Sequence, residues 1–155
     1  MRELLLMAHI GGATVLIGTG AGIAFFMLMA HLTRDPAVVA PVARIVVIAD
    51  YLFTATAVAL QPITGALLAW TAGWSLAEPW IALSLALYAM VGAFWLPVVW
   101  MQSRMRTLAQ EAHAAGAPLP PTYHRLFRWW FAFGFPGFGG VVAILWLMIA
   151  KPALW

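Results

Sequence analysis

Twenty-one consecutive residues between His9 and His31, IGGATVLIGTGAGIAFFMLMA, carry no charge, and their only polar side chains are Thr14 and Thr19. An uncharged apolar run of this length reads as a membrane-spanning helix. The steps from one histidine to the other amount to about 33 Å of helix rise, close to a hydrocarbon core of about 30 Å. Each histidine is therefore expected near one face of the bilayer. Five glycines lie between them: Gly11, Gly12, Gly18, Gly20 and Gly22. In a lipid-embedded helix such residues cost propensity, but they permit close helix contact or leave room for a flat ligand.

The rest of the chain repeats the pattern. Only 8% of residues are charged and 65% are hydrophobic. A water-facing surface needs nearer a quarter charged, so lipid must cover most of this one. The expectation is an all-α, integral membrane, antiparallel four-helix bundle. It forms a single transmembrane domain over residues 1–155, with spans at about 4–32, 42–69, 80–101 and 127–149. The first run is read as a retained span rather than a cleaved signal. Cysteine is absent, which excludes disulfides, thiolate zinc sites and four-cysteine iron–sulfur clusters.

The breaks fall where helix chemistry requires them. Thr33-Arg34-Asp35-Pro36 ends the first helix. Pro62, after Gln61, is expected to kink the second and to free a carbonyl that Gln61, Thr64 or a bound group would satisfy. Pro79 suits a first helical turn, with Ser75 or Glu78 as the cap. The third helix runs on as a polar extension from Gln102 towards His113, and Gly116–Pro121 is the clearest loop.

Charge is distributed unevenly. The two connections on one side carry Arg34, Arg44, Arg104, Arg106, Arg125 and Arg128 against Asp35 and Glu111. The other side has Arg2 and Lys151 against Glu3 and Glu78. The positive-inside rule places the basic side in the cytoplasm of a bacterial cell and both termini in the periplasm or exterior. The basic patch is read as meeting anionic lipid heads rather than nucleic acid. Tryptophans follow the same division. Trp70, Trp74 and Trp80 form one belt, and Trp95, Trp100, Trp129 and Trp130 the other.

Chemically capable residues are few. His9 is the first candidate: a neutral imidazole nitrogen there would ligate haem iron, with Gly12 leaving space for the porphyrin on the same helical face. An interface histidine bonded to a headgroup or a neighbouring helix is the simpler alternative. His31 is the counterpart at the basic face. Its distance from His9 excludes bis-histidine ligation of one haem by this pair within a monomer. Asp50 must face the bundle, pair or take a proton, and His31, Arg44, Arg125 or Arg128 are its expected partners. Gln61, Thr64 and Tyr88 suggest a midplane polar cluster, either structural or in contact with a quinone or a porphyrin propionate. Arg104, Arg106, Arg125 and Arg128 would reach propionates only near the basic face. His113 and His124 flank the loop without metal-ligand spacing. No nucleotide-binding loop, zinc-protease motif or serine-hydrolase elbow is present.

Several segments together resemble the DUF2269 family of predicted integral membrane proteins. They are His9, Asp50-Tyr-Leu-Phe53, Gln61…Thr64-Gly65, the stretch from Trp80 to Tyr88, Gln102-Ser-Arg104-Met105, Tyr123…Trp130 and Gly134-Phe-Pro136. That resemblance implies four membrane helices and carries no mechanism. His9, His31 and Lys151-Pro152 also resemble, more weakly, the HemJ-like family, whose members bind b-type haem and oxidise protoporphyrinogen. The chain has Ile17-Gly-Thr-Gly20 in place of that family's Trp-Phe-Ala-Gly context, and Lys151 is its only lysine. The resemblance implies haem b at His9. The functional expectation is thus a haem-b-binding inner-membrane redox or electron-transfer protein. It would work with a redox membrane partner or quinone, or as a homo-oligomer. The alternatives are a non-enzymatic membrane subunit or small-molecule carrier, and a protoporphyrinogen oxidase-like enzyme.

Overall fold

A computed structural model describes residues 1–154, and they form four long apolar helices packed as a membrane bundle. Helix α1 spans Arg2–Thr33. The second span is built from α2, Pro36–Ala49, a π-helical turn at Asp50–Thr54, and α3, Ala55–Thr71. The third and fourth are α4, Pro79–Ala114, and α5, Pro121–Ala150. Each of the four is long and apolar enough to cross a bilayer. Helical structure reaches well past the apolar cores of the spans at the arginine-bearing end, through the polar part of α4 and the first turn of α5.

Local chemistry fixes the ends. Arg34 adopts φ 55° and its N–H bonds the His31 carbonyl, which closes α1. Asp35 then caps α2 by accepting the Ala37 N–H at 2.9 Å, with Pro36 in the first turn. The α3 and α4 C-termini end alike. Gly73 (φ 73°) and Gly116 (φ 60°) take the left-handed conformation that lets Trp74 N–H reach Ala69 O and Ala117 N–H reach Ala112 O. These are paired end-bonds of the Schellman type, which only a residue tolerant of positive φ permits cheaply. The α4 start differs from expectation. Neither Ser75 nor Glu78 caps it through a side chain; Ser75 Oγ accepts the Ala77 N–H instead, within the turn.

Two cores hold the bundle. The larger lies at the arginine-bearing end and draws on all four spans. It includes Met27, Val39, Ala43, Met105, Ala109, Tyr123, Phe127 and Trp130. The smaller lies at the end carrying both termini, where Ala69, Trp80, Ile81 and Leu147 come from α3, α4 and α5. Lys151 Nζ sits 5.6 Å from the Trp80 ring and 5.8 Å from the Trp74 ring there, a cation–π cap on α5.

The tryptophan belts need one revision. Trp70, Trp100 and Trp129 are exposed, as interface residues are. Trp80 is 8% exposed and packs in the smaller core; Trp130 is 5% exposed and Trp95 half-buried, and these two turn inward to hydrogen-bond partners.

Candidate functional site

Three polar arrangements lie within the spans. The first surrounds His9. Its Nδ1 is 2.9 Å from Thr64 Oγ1 on α3. Thr64 Oγ1 in turn lies 2.8 Å from Leu60 O and 3.2 Å from Gln61 O. A hydroxyl has one hydrogen, and those carbonyls take it, so Thr64 must accept from His9 Nδ1–H. The imidazole is thereby held in the tautomer whose Nε2 bears a lone pair. Gln61 Nε2 donates to the His9 carbonyl at 2.8 Å, a second tie between α1 and α3.

Small residues make that clamp possible. A methyl group built on Gly65 would sit 3.2 Å from His9 Cε1, so the ring lies directly against this glycine. One built on Gly12 would collide with the Gln61 amide. The room beside Gly12 that the sequence reading set aside for a porphyrin is filled by Gln61.

The second arrangement answers the backbone gap at Pro62. Proline at 62 has no N–H for the carbonyl four residues earlier, which belongs to Val58. Tyr88 on α4 donates its hydroxyl to that carbonyl. The freed acceptor therefore goes to Tyr88, not to Gln61 or Thr64. Tyr88 is not part of one cluster with them: it ties α4 to α3, while they tie α3 to α1.

Asp50 forms the third. It is 3% exposed and begins the π-helical turn, where its N–H is shared between Val46 O and Val47 O. Trp95 Nε1 donates to Oδ1 at 3.3 Å. With the Gln102 amide oriented as its neighbours require, its nitrogen donates to Oδ2 at 2.9 Å and its oxygen accepts from Trp130 Nε1 at 3.1 Å. The partners expected from the sequence are not these. Arg44, Arg125 and Arg128 lie on exposed faces, as does Arg104. His31 lies in an aromatic stack, its ring 3.5 Å from Phe127 at an interplanar angle of 3°.

His31 also approaches Tyr123 and His124, with ring centroids 5.7 Å and 5.6 Å away. Its Nδ1 and the hydroxyl of fully buried Tyr123 have no hydrogen-bond partner among the described residues. No group of three or more His, Asp or Glu side chains is placed to hold a metal ion among the described residues.

Trp95, Gln102, Trp130 and Tyr123 are the site residues that sequence reasoning missed. Gln102 had a readable signal: a lone amide at the arginine-bearing edge of an apolar helix, opposite a lone acid. The tryptophans had none, because an indole that serves an interface and one that serves a carboxylate look alike in sequence.

Four apolar spans tied to one another by part-buried side-chain hydrogen bonds define an integral, multi-pass membrane bundle. The chain belongs to the DUF2269 family, described as predicted integral membrane proteins, which it matches over residues 3–152. No curated protein and no solved structure matches it.

Proposed function

We propose that this bundle is a non-enzymatic membrane subunit. The observation that carries this reading is how its intramembrane polar groups are used. Gln61 bonds the His9 carbonyl, Tyr88 bonds the Val58 carbonyl, and Trp95 and Gln102 bond Asp50. Each joins one helix to another, as polar residues do when they serve as interhelical glue. The test is native-level expression with a terminal tag, mild solubilisation and native electrophoresis. A complex of fixed stoichiometry with a second membrane chain supports the reading. Migration only as this 16.9 kDa chain or its multiples overturns it.

Orientation belongs to the same proposal. Six arginines on the α1–α2 and α4–α5 side support assigning that side to the cytoplasm of a bacterial inner membrane, with both termini outside. The chain lacks cysteine, so a single cysteine at Ala117 reports directly. Labelling of intact cells there by a membrane-impermeant reagent reverses the assignment.

A second reading, haem-b binding with a redox role, is favoured by His9. Thr64 fixes Nδ1–H and leaves Nε2 as a bare lone pair, the arrangement that orients metal-ligating histidines. The donor nitrogen fits an axial ligand, but the space beside Gly12 does not fit a porphyrin while Gln61 fills it. Haem there would have to approach from another side of the ring. Absorption spectra of haem-replete protein, oxidised and reduced, with His9→Ala and His31→Ala, decide this reading and identify the ligand. A spectrum without a Soret band sinks it, and with it the protoporphyrinogen oxidase-like and haem-to-quinone variants.

A further inference from the structure

The buried carboxyl of Asp50 has hydrogen-bond donors at both oxygens and no cation paired with it among the described residues. Trp95 Nε1 serves Oδ1 and the Gln102 amide serves Oδ2. On its own span Arg44 faces outward, as do Arg104 on α4 and Arg125 and Arg128 on α5; Arg106, half-buried one turn beyond Gln102 on α4, has no hydrogen-bond partner for its Nε among the described residues. On α1, His31 is stacked against Phe127. Neutral donors orient a carboxylate but do not cancel its charge. An uncompensated charge inside a bilayer is costly, and a proton is the smallest group that removes it.

Gln102 is placed to register that proton. Its amide has two ends of nearly the same shape but opposite hydrogen-bonding sense. With Asp50 ionised, the nitrogen donates to Oδ2 and the oxygen accepts from Trp130 Nε1–H, so both ends of the amide face complementary groups. Rotating the amide by half a turn brings its oxygen to Oδ2 and its nitrogen to the indole N–H. Acceptor then faces acceptor and donor faces donor. A hydrogen on Oδ2 repairs the first of these contacts, while Trp130 Nε1–H loses its acceptor. The tie from the second span to α5 therefore depends on whether Oδ2 carries a proton. The π-helical turn starting at Asp50 is a second irregularity at the same place, of the kind that recurs at functional positions in helices.

We infer that Asp50 is a reversible proton-binding site within the bilayer, and that the Gln102 amide relays its occupancy to Trp130 on α5. The chemistry balances simply: carboxylate and hydronium give carboxylic acid and water, and no other bond changes. The inference does not depend on the subunit reading, since it concerns what binds within the bundle.

The full chain in detergent micelles or liposomes is the material for the test. Two signals are followed between about pH 4 and about pH 9, the range covered by free and deeply buried carboxyls. Infrared spectroscopy reads the carbonyl stretch of a protonated carboxyl. Ultraviolet resonance Raman reads hydrogen bonding at the indole N–H, with Trp130→Phe identifying the band. The expected result is one transition in both signals, absent from Asp50→Asn, whose indole band no longer moves with pH. Gln102→Leu covers the case in which Asp50→Asn does not fold: its carboxyl should still titrate while the Trp130 band no longer follows. A carboxyl band that does not change with pH overturns the inference. So does a Trp130 band that ignores the carboxyl in the unaltered protein, or one that still follows it in Gln102→Leu.

Discussion

The two ends of the bundle hold their helices by different means. At the arginine-bearing end, side chains from all four spans close around Met105, Val39 and Tyr123, each essentially inaccessible. At the end carrying the termini, the apolar cluster draws on α3, α4 and α5 but not α1. There α1 is held by hydrogen bonds instead, with His9 bound to Thr64 and its carbonyl to Gln61 over the glycine surfaces of Gly65 and Gly12. Packing resists deformation in every direction, whereas two hydrogen bonds fix one register and little else. The comparison teaches that the same apolar composition supports a close-packed half and a clamped half. In lipid, where tails are as apolar as leucine, contact area and polar ties must do what water exclusion does elsewhere.

The largest effect should come from breaking the packed half. Met105→Ala opens a hole in the centre of the larger core. Met105 lies in the extension of α4 beyond its apolar span, so transfer and cavity contributions both count, about 3 kcal/mol. Unfolding in mixed micelles of rising SDS fraction measures it. Leu147→Ala in the smaller cluster should cost roughly half as much, because fewer neighbours surround the gap and they relax into it more easily. Equal losses at the two sites would abolish the distinction.

Gln102→Leu comes next. It strips Asp50 Oδ2 of its donor and Trp130 Nε1–H of its acceptor, both buried. The expected loss is about 1.5 kcal/mol by the same unfolding assay, between the value for a bond to a charged group and the smaller values found inside membranes. Gln102→Glu in its protonated form retains an acceptor for Trp130 and should recover part of it.

Much of this architecture was legible in the residues. Four apolar runs and the breaks at Pro36, Gly73 and Gly116 follow from hydropathy and backbone chemistry. The all-α four-helix fold needed nothing more. The pairing of the polar residues did not follow, for a physical reason. Hydropathy places a residue at a depth but not at an angle around its helix, and the π-helical turn at Asp50–Thr54 shifts that angle without a sequence mark. Asp50 was therefore matched to arginines at the right depth that face outward. It bonds Trp95 and Gln102, which lay on helices whose rotation was unknown. The carbonyl freed by Pro62 was legible while the group that satisfies it was not, because Tyr88 lies on a different span.

That remedy can be tested between the two halves. Tyr88→Phe keeps the ring and removes the hydroxyl, which leaves Val58 O without a donor. The expected cost is about 1 kcal/mol. Replacing Pro62 with alanine in the same background restores a backbone donor and should return most of the loss. A double variant no more stable than Tyr88→Phe would show that the hydroxyl does not serve the proline gap.

The smallest expected effect is the most discriminating. Thr64→Val preserves shape and removes the oxygen that accepts His9 Nδ1–H. An average interhelical hydrogen bond in a membrane protein is worth about 0.6 kcal/mol, so global stability should barely move. The local consequence should be larger than the global one, because α1 has no share in the apolar cluster at that end. Amide exchange in micelles should accelerate between Leu5 and Ala13 while the residues around Met27 and Ala30 keep their protection. Thr64→Ser, which retains the hydroxyl, should leave both regions unchanged. Met105→Ala gives the opposite pattern, loosening the stretch near Met27 first. If Thr64→Val instead speeds exchange along the whole of α1, the helix moves as one rigid rod, and the His9 clamp and the larger core are parts of a single cooperative unit.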